Sequence, residues 1–221
     1  MKIKQIDGGE IELNLESEQA KAHFANPANY GKVIIDEFSS EPFKGYVKPN
    51  SVILDIGANV GLFALHVIPY VAKIICVEPT PEHIEILQDL LTEQTPVIIC
   101  EQSALNNFTG TALFRSDPVN TTMNGLTTRS DGFEVSCITL FDLCIKYDLS
   151  HVDLCKIDIE GGEFAAVTIE TVAAARHIIK AYSIETHPAS RENQEHFVKI
   201  FQACGYKTKL VDYNGGVYAY R

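Results

Sequence analysis

The hydrophobic positions from residue 51 onward form two patterns that alternate along the chain. Short runs of branched apolar residues are typical of strands buried on both faces of a parallel sheet, and between them apolar residues recur at helical spacing. This alternation predicts βαβ units, with helices on both faces of the sheet. The parallel strands are expected at residues 52–54, 73–77, 97–100, 152–157 and 177–184.

The C-terminal pattern predicts a hairpin. Residues 205–212 and 216–220 are two strand-like runs joined around Asn214 and Gly215, a dipeptide that favours a tight turn between antiparallel strands. Together with the five parallel strands, this hairpin gives a sheet of seven strands in which one is reversed. The predicted fold class is therefore α/β with one antiparallel strand.

The first part of the chain carries no recognisable motif. Residues 1–15 alternate around a glycine pair and predict a hairpin, Ser17 can cap a helix, and a second helix is expected at about residues 32–38. We therefore expect residues 1–49 to form an N-terminal extension or lid, and residues 50–221 to form the main domain.

The regular alternation is interrupted at residues 106–138, which look like an insertion. Residues 111–115 and 133–138 are predicted strands, and the segment between them includes a polar stretch at 120–125. A polar loop of this length in a compact domain is usually functional or mobile.

Composition narrows the class of partner. A chain of 221 residues with 46% hydrophobic and 21% charged residues is expected to be globular, and its length suits one domain. Its net charge of −11 disfavours nucleic acid, because binding there depends on basic residues that contact phosphates. A small molecule is the expected partner.

The chain begins without the apolar core of a signal peptide, and no stretch approaches the roughly 18 apolar residues of a membrane span. A cytoplasmic protein without a membrane partner is therefore predicted. The six cysteines are scattered without a C-x-x-C pair, which favours buried thiols over zinc ligands or disulfides. No residue is assigned to a metal site, and the sequence leaves open whether a divalent metal assists.

The first polar stretch follows the first parallel strand. Asp55 precedes a turn in which Gly57 and Gly61 allow the backbone to bend tightly, and a helical pattern begins directly afterwards. The turn lacks the third glycine of the dinucleotide fingerprint. Asp55 would repel a pyrophosphate but suits the ammonium of an amino-acid moiety, which indicates S-adenosylmethionine as the cofactor.

A second acid lies at the end of the next strand. Glu78 follows Asp55 at roughly the 20-residue separation expected of an acid that accepts hydrogen bonds from ribose hydroxyls. Ser103 and Ala104 come just after the third strand, where a sheet of this type places contacts to the adenine. The alternative is a glycine turn in an unrelated α/β protein, with Glu78 at a solvated strand end.

The second polar stretch follows the fourth strand. Asp158 and Glu160 alternate at its carboxyl end, where open α/β sheets bind ligands, and a nearby cation, polarised hydroxyl or sulfonium would account for them. A solvated strand end is the alternative. Glu163 is interpreted as a first-turn helix residue whose charge favours the macrodipole. His187 follows the fifth strand and is placed to act as a general base, or else to bond a neighbour.

These stretches carry a family resemblance. The chain resembles the FkbM-type family of S-adenosylmethionine-dependent methyltransferases over roughly residues 50–190, in segments 52–61, 77–79, 135–140, 156–163 and 185–188. The resemblance implies a Rossmann-like class I methyltransferase sheet and O-methylation of a hydroxyl on a sugar or secondary metabolite. Gly162 stands where many relatives carry alanine. The first 50 residues do not match, so the acceptor's identity is not implied.

The predicted site has two parts. The residues expected to hold the cofactor are Asp55, Gly57, Ala58, Asn59, Gly61, Glu78, Pro79, Ser103, Ala104 and Asp158. Those expected to orient and deprotonate a small hydroxylated acceptor are Asp158, Glu160 and His187.

Two other functions remain open at this point. A nicotinamide-dependent oxidoreductase is disfavoured by the missing glycine and by Asp55. A non-catalytic cofactor-binding module would bind S-adenosylmethionine without turnover.

Overall fold

The computed structural model describes residues 2–4, 9–12, 18–25, 46–91, 97–116, 125–128, 131–211 and 215–221. The helix predicted at 32–38 and the turn at Asn214 lie outside these residues. The N-terminal hairpin is confirmed by the antiparallel pairing of β1 (Lys2–Lys4) with β2 (Glu10–Glu12), and the capped helix corresponds to α1 (Glu18–Ala25).

From residue 51 the described chain alternates between strands and helices, with a single 3₁₀ turn at Ile68–Tyr70. In chain order the elements are β3 (Ser51–Ile56), α2 (Leu62–Val67), β4 (Val71–Val77), α3 (Pro81–Leu91), β5 (Val97–Glu101), β6 (Ala104–Leu105), β7 (Gly110–Arg115), β8 (Gly125–Leu126), β9 (Phe133–Ile138), α4 (Leu140–Lys146), β10 (Leu154–Ile157), α5 (Glu163–Ala166), α6 (Ile169–Ala175), β11 (Ala181–Ile184), α7 (Arg191–Ala203), β12 (Lys207–Val211) and β13 (Gly216–Tyr220).

The central sheet has seven strands in the order β12-β13-β11-β10-β3-β4-β5. All neighbours are parallel except that β13 runs antiparallel to both β11 and β12, which confirms the predicted architecture with one reversed strand. From β3 the chain first adds strands on one side and later returns through β10 on the other. This reversal creates a switch point between β3 and β10, where sheets of this type bind ligands at the carboxyl edge.

The core lies on both faces of the sheet. Consecutive side chains of β3 point to opposite faces, so Ile53 packs against residues of α2 and α3 while Leu54 packs against residues of α4, α6 and α7. Every residue of β3 is buried, as expected of a central strand. The predicted placement of helices on both faces is thereby confirmed.

The predicted insertion forms a separate four-stranded sheet in the order β6-β9-β7-β8. Its two longer strands, β7 and β9, lie where the sequence predicts them. The strands β6 and β8 were not predicted, because two residues are too short to show a periodic pattern. None of the described helices is both long enough and apolar enough to cross a bilayer.

Two predicted strands are shorter in the structure. The fifth was expected at 177–184, but residues 176–178 form the turn that follows α6, so β11 begins at Ala181. Likewise β10 begins at Leu154 rather than at residue 152, and one isolated bridge joins Val152 to Ile179. Both strands nevertheless end directly before the polar residues that were predicted to follow them.

Candidate functional site

A cleft opens at the carboxyl edge of the sheet, beside the switch point. One wall follows β4 and β5, the other follows β10, and the second sheet forms a roof. The predicted site residues that line this cleft are Gly57, Asn59, Glu78, Pro79, Ser103, Ala104, Asp158 and Glu160. The roof is contributed by Phe114, Gly125 and Leu126.

The glycine turn between β3 and α2 is held by close backbone packing. Gly57 has a φ of 75°, and the backbone N–H groups of Gly57 and Ala58 donate to the Val77 carbonyl at 2.9 and 3.1 Å. A Cβ on Gly57 would lie 1.7 Å from the carbonyl oxygen of Asp158. The absence of a side chain here is therefore required by the packing of β3 against the end of β10, in addition to any ligand.

Three predicted cofactor residues lie behind the cleft surface and do not line it. Ala58 is 5% exposed and packs in the core, and Gly61, with a φ of 86°, packs near Leu87. Asp55 is the third and is fully buried at the end of β3.

The environment of Asp55 is unusual for a carboxylate. Neither of its oxygens accepts a hydrogen bond, and Lys156 Nζ lies 3.6 Å from Asp55 Oδ1. Burial raises the pKa of Asp55 to about 6, an effect that Lys156 opposes and Asp158 reinforces. A buried carboxylate without hydrogen bonds is costly, and such groups cluster at functional sites.

Glu78 is fixed at the opposite wall by hydrogen bonds from its own loop and from the glycine turn. Its Oε1 accepts from Thr80 N at 3.0 Å and contacts His83 Nδ1 at 3.3 Å, while Oε2 accepts from Asn59 N at 3.1 Å. Burial would raise the pKa of Glu78, but the bonds from His83 and Thr80 outweigh it and lower that pKa. The carboxylate therefore stays ionised at the wall of the cleft.

Ser103 and Ala104 are held beside Glu78 by β5. The backbone N–H groups of Ser103 and Glu78 both donate to the carbonyl of Glu101 at 3.1 Å. The Glu101 side chain accepts from Lys146 Nζ at 2.6 Å and also from the Tyr147 hydroxyl. Burial opposes the ionisation of Glu101, but these donors lower its pKa below the usual value.

Lys156 is a buried cation at the base of the site. It lies on β10, is 9% exposed, and its Nζ is 3.3 Å from Asp158 Oδ2 as well as near Asp55. The sequence analysis gave this residue no role. A lysine inside an otherwise apolar buried strand was the available signal, because such a residue is almost never buried without a partner.

The three predicted acceptor residues come together at the ends of β10 and β11. His187 Nε2 lies 3.9 Å from Asp158 Oδ1 and 3.4 Å from Glu160 Oε2. Glu185, the first residue of the 185–188 segment that carries the family resemblance, places Oε1 at 3.7 Å from the same nitrogen. One imidazole nitrogen therefore faces three carboxylates.

These charges perturb one another. Burial would lower the pKa of His187, but the hydrogen bond that His187 donates to Glu163 and the charges of Glu160 and Asp158 outweigh it and raise that pKa to about 9. The pKa of Glu160 is raised to about 7 by burial and by Asp158, with a partial offset from His187. Because the two groups interact, they titrate as a pair.

Glu163 has a larger role than the sequence analysis gave it. It does lie in the first turn of α5, but its side chain is fully buried instead of forming a solvated first-turn charge. Its Oε1 accepts from Ile159 N at 3.1 Å and contacts His187 Nδ1 at 2.9 Å, and its Oε2 accepts from Gly161 N at 2.9 Å. The interpretation as a macrodipole charge alone is therefore wrong.

The same region offers ligands to a metal. Asp158, Glu185 and His187 each present one ligand atom, and these atoms lie within 4.8 Å of one another. Nitrogen and carboxylate ligands of this kind suit a transition metal such as Mn²⁺ or Zn²⁺.

Comparison with known proteins agrees with this geometry. A model of the methyltransferase FkbM domain matches residues 55–208. The fold is similar to that of a precorrin-6y C5,15-methyltransferase from Geobacter metallireducens GS-15 (TM-score 0.51, 13% identity, 85% of this chain and 89% of that chain).

The fold is also similar to that of a fibrillarin pre-rRNA processing protein from Methanococcus jannaschii (TM-score 0.51, 17% identity, 79% of this chain and 66% of that chain). A third similar structure is a SAM-dependent methyltransferase from Leishmania major (TM-score 0.50, 11% identity, 100% of this chain and 96% of that chain). No curated protein matches by sequence. At these identities the structural likeness concerns the fold.

Proposed function

This chain belongs to the FkbM methyltransferase family and uses S-adenosylmethionine, and from that premise we propose that it methylates a hydroxyl oxygen of a small acceptor. The observation that carries the proposal is the position of His187, whose Nε2 faces Asp158, Glu160 and Glu185, and the first two of these carboxylates line the cleft. Such a cluster can orient a hydroxyl and remove its proton.

The residues of the first wall fit the cofactor. The fully buried Asp55 carboxylate, with no hydrogen bond to either oxygen, gives this wall a negative potential suited to the cofactor's ammonium. Glu78 is held by Asn59 N and Thr80 N so that its free lone pairs can accept from the two ribose hydroxyls. Pro79, Ser103 and Ala104 continue this wall and would contact the adenine.

The remaining predicted cofactor residues support this wall from behind or join it to the other. Gly57 provides the turn, and Ala58 and Gly61 hold it against the core. Asp158 lines the cleft at the end of β10 and would lie between the cofactor and the acceptor.

The cofactor supplies an electrophilic methyl group on a positively charged sulfonium. The protein's main contribution is alignment, because an in-line approach at about 3 Å is worth several kcal/mol of the barrier. We assign the orientation of the acceptor hydroxyl to Asp158 and Glu160, which lie on the same loop as the end of β10. Their carboxylates can accept a hydrogen bond from the hydroxyl.

We assign removal of the hydroxyl proton to His187, whose titration is coupled to that of Glu160. A His187 pKa of about 9 means that the imidazole is protonated at neutral pH in the ligand-free protein. A cationic sulfonium nearby would disfavour the imidazolium and lower that pKa, since a like charge opposes the charged form. Cofactor binding would thus prepare His187 to accept the proton.

We also propose that residues 1–49 form an extension of the 50–221 domain and that its helix α1 lies over one end of the cleft. The His23 ring of α1 packs edge-on against the ring of His83, with centroids 5.5 Å apart. His83 in turn contacts Glu78 and lines the cleft. This contact supports a role for the extension near the cofactor wall.

The test is a screen in which the purified protein receives S-adenosylmethionine and sugars, phenols and aliphatic alcohols, each paired with its deoxy and amino analogues. We expect S-adenosylhomocysteine to form with a hydroxylated compound and not with its deoxy analogue. Transfer to the amino analogue alone would contradict O-methylation. Binding of S-adenosylhomocysteine without turnover on any acceptor would instead support the non-catalytic module.

A further inference from the structure

A fully buried carboxylate links the loop after β10 to the imidazole that follows β11. Glu163 has no exposed surface, yet it contacts the loop after β10 and the imidazole after β11. We propose that Glu163 is a positioning residue, which holds the His187 ring so that Nε2 faces the acceptor hydroxyl. This inference rests on the proposed function, and it gives a role to Glu163, to which the proposed function assigns none.

The hydrogen-bond partners of Glu163 determine which imidazole nitrogen carries the proton. Its Oε1 accepts from the backbone N–H of Ile159, and Oε2 accepts from that of Gly161, so the carboxylate acts as an acceptor. His187 Nδ1, at 2.9 Å from Oε1, must then be the donor. In the neutral ring the lone pair therefore belongs to Nε2, the nitrogen that faces Asp158 and Glu160.

Glu163 also fixes the second side of the acceptor pocket. The residue between its two backbone donors is Glu160, whose backbone is left-handed with a φ of 52°. One carboxylate therefore holds the loop that carries Glu160 and orients the ring of His187, at a separation of 3.4 Å between Glu160 Oε2 and His187 Nε2. Movement of Glu163 would disturb both members of the pair.

A purely structural role would also explain burial and the loop bonds, so the test must separate the two. In Glu163→Gln the side-chain amide can donate to Nδ1, which favours the opposite tautomer, with the proton on Nε2. We expect turnover to fall at least 10-fold and affinity for S-adenosylhomocysteine to change by less than twofold. Glu170→Gln, which alters an exposed acid in the first turn of α6, is the matched control and should leave both values unchanged.

A double-mutant cycle gives the decisive comparison. If Glu163 acts mainly through His187, Glu163→Gln should cause a much smaller loss of turnover in a His187→Ala background than in the wild type, and any remaining loss would come through the loop that carries Glu160. Losses that simply multiply in the double variant would show a separate structural effect and overturn the proposal. Unchanged turnover in Glu163→Gln would overturn it as well.

A measurement on the wild-type protein does not depend on whether the variant folds. ¹⁵N NMR of the imidazole at a pH above its pKa should find the proton on Nδ1 of His187. Observation of the Nε2-protonated tautomer would overturn the proposal, even if the wild-type protein methylates a hydroxyl. Conversely, an Nδ1 proton in a protein that transfers methyl only to nitrogen would leave the orientation correct and the proposed function wrong.

Discussion

Lys156 Nζ lies 3.6 Å from Asp55 Oδ1, a separation at which the ammonium partly neutralises the carboxylate without satisfying it. The ammonium is shared with Asp158, whose Oδ2 is closer at 3.3 Å. Asp55 is therefore a buried charge that the ligand-free protein stabilises incompletely. Groups of this kind favour function at the expense of stability.

We predict that Asp55→Asn stabilises the ligand-free protein at neutral pH. The pKa of Asp55 is raised to about 6 from its usual value of 3.8, so the folded state retains a proton that the unfolded state loses. The contribution of Asp55 to stability is therefore most favourable below pH 3.8, falls as the pH rises to about 6, and stays reduced above it. Removing the ionisable group should raise the free energy of unfolding by about 1–3 kcal/mol at pH 7.5.

Urea denaturation at several pH values checks this prediction, and the advantage of Asp55→Asn should shrink as the pH falls from 6 towards 4. The same variant should bind S-adenosylmethionine more weakly, because the negative potential at the cofactor wall is lost. A variant that is less stable than the wild type at pH 7.5 would contradict the assignment of Asp55 as a strained ionised group.

We predict that Glu78→Ala weakens binding of S-adenosylhomocysteine more than tenfold. Loss of charge-assisted hydrogen bonds to the ribose hydroxyls costs on the order of 1.5–3 kcal/mol. Isothermal titration measures the affinity, and Glu82→Ala is the control because Glu82 is exposed in the first turn of α3. A change within twofold for Glu78→Ala would count against its contact with the ribose.

Gly57→Ala is predicted to destabilise the protein severely. A Cβ would lie 1.7 Å from the Asp158 carbonyl, and the φ of 75° is itself unfavourable for alanine. Together these should cost on the order of 3–5 kcal/mol. A Gly57 variant therefore cannot report on cofactor binding alone, because the contact with the Asp158 carbonyl would also disturb the fold.

Gly161→Ala separates the two causes. Gly161 has a φ of 99°, but a Cβ there meets nothing within 4 Å, so only the backbone strain of about 1 kcal/mol applies. Thermal denaturation of both variants checks the difference. Equal losses of stability would mean that the contact with Asp158 does not limit the Gly57 position.

His187→Ala is predicted to lower turnover by about 100-fold or more while cofactor affinity is retained, because the ring would touch only the acceptor. Wild-type kcat/KM, which reports the groups of the ligand-free protein, should rise as the pH increases across the range set by the Glu160–His187 pair, with pKa values of about 7 and about 9. Full turnover in His187→Ala, with loss in Asp158→Asn or Glu160→Gln, would assign the base to a carboxylate.

Treatment with EDTA distinguishes this base from a metal. Asp158, Glu185 and His187 offer ligand atoms for a metal ion, but we assign proton removal to the His187 imidazole. Turnover should therefore persist in EDTA. Loss of turnover that Mn²⁺ restores would transfer that role to a bound cation.

Much of the fold could be predicted because each parallel strand is marked by an apolar run and ends in a polar stretch. That pattern located Asp55, Glu78 and Asp158 at one sheet edge before their distances were known. Side-chain partners could not be predicted in the same way. The link from Glu163 to His187 joins the first turn of α5 to the loop after β11, and only the folded chain brings them within 2.9 Å.

The short strands and the packing around Gly57 could not be predicted from the sequence either. β6 and β8 have two residues each, too few for a periodic signal, and their positions depend on pairing with β9 and β7. Gly57 matched a motif for ligand approach, yet its closest neighbour is the Asp158 backbone. A glycine motif in the sequence indicates that a side chain would not fit at that position, but it does not identify the group that occupies the space.

The most direct test of the central claim is a crystal structure of the protein with S-adenosylhomocysteine. We expect the ribose hydroxyls within hydrogen-bond distance of the Glu78 carboxylate, and the sulfur facing the side of the cleft where Asp158 and His187 meet. Ribose hydroxyls away from Glu78, or a sulfur directed away from His187, would contradict the proposed arrangement of cofactor and acceptor.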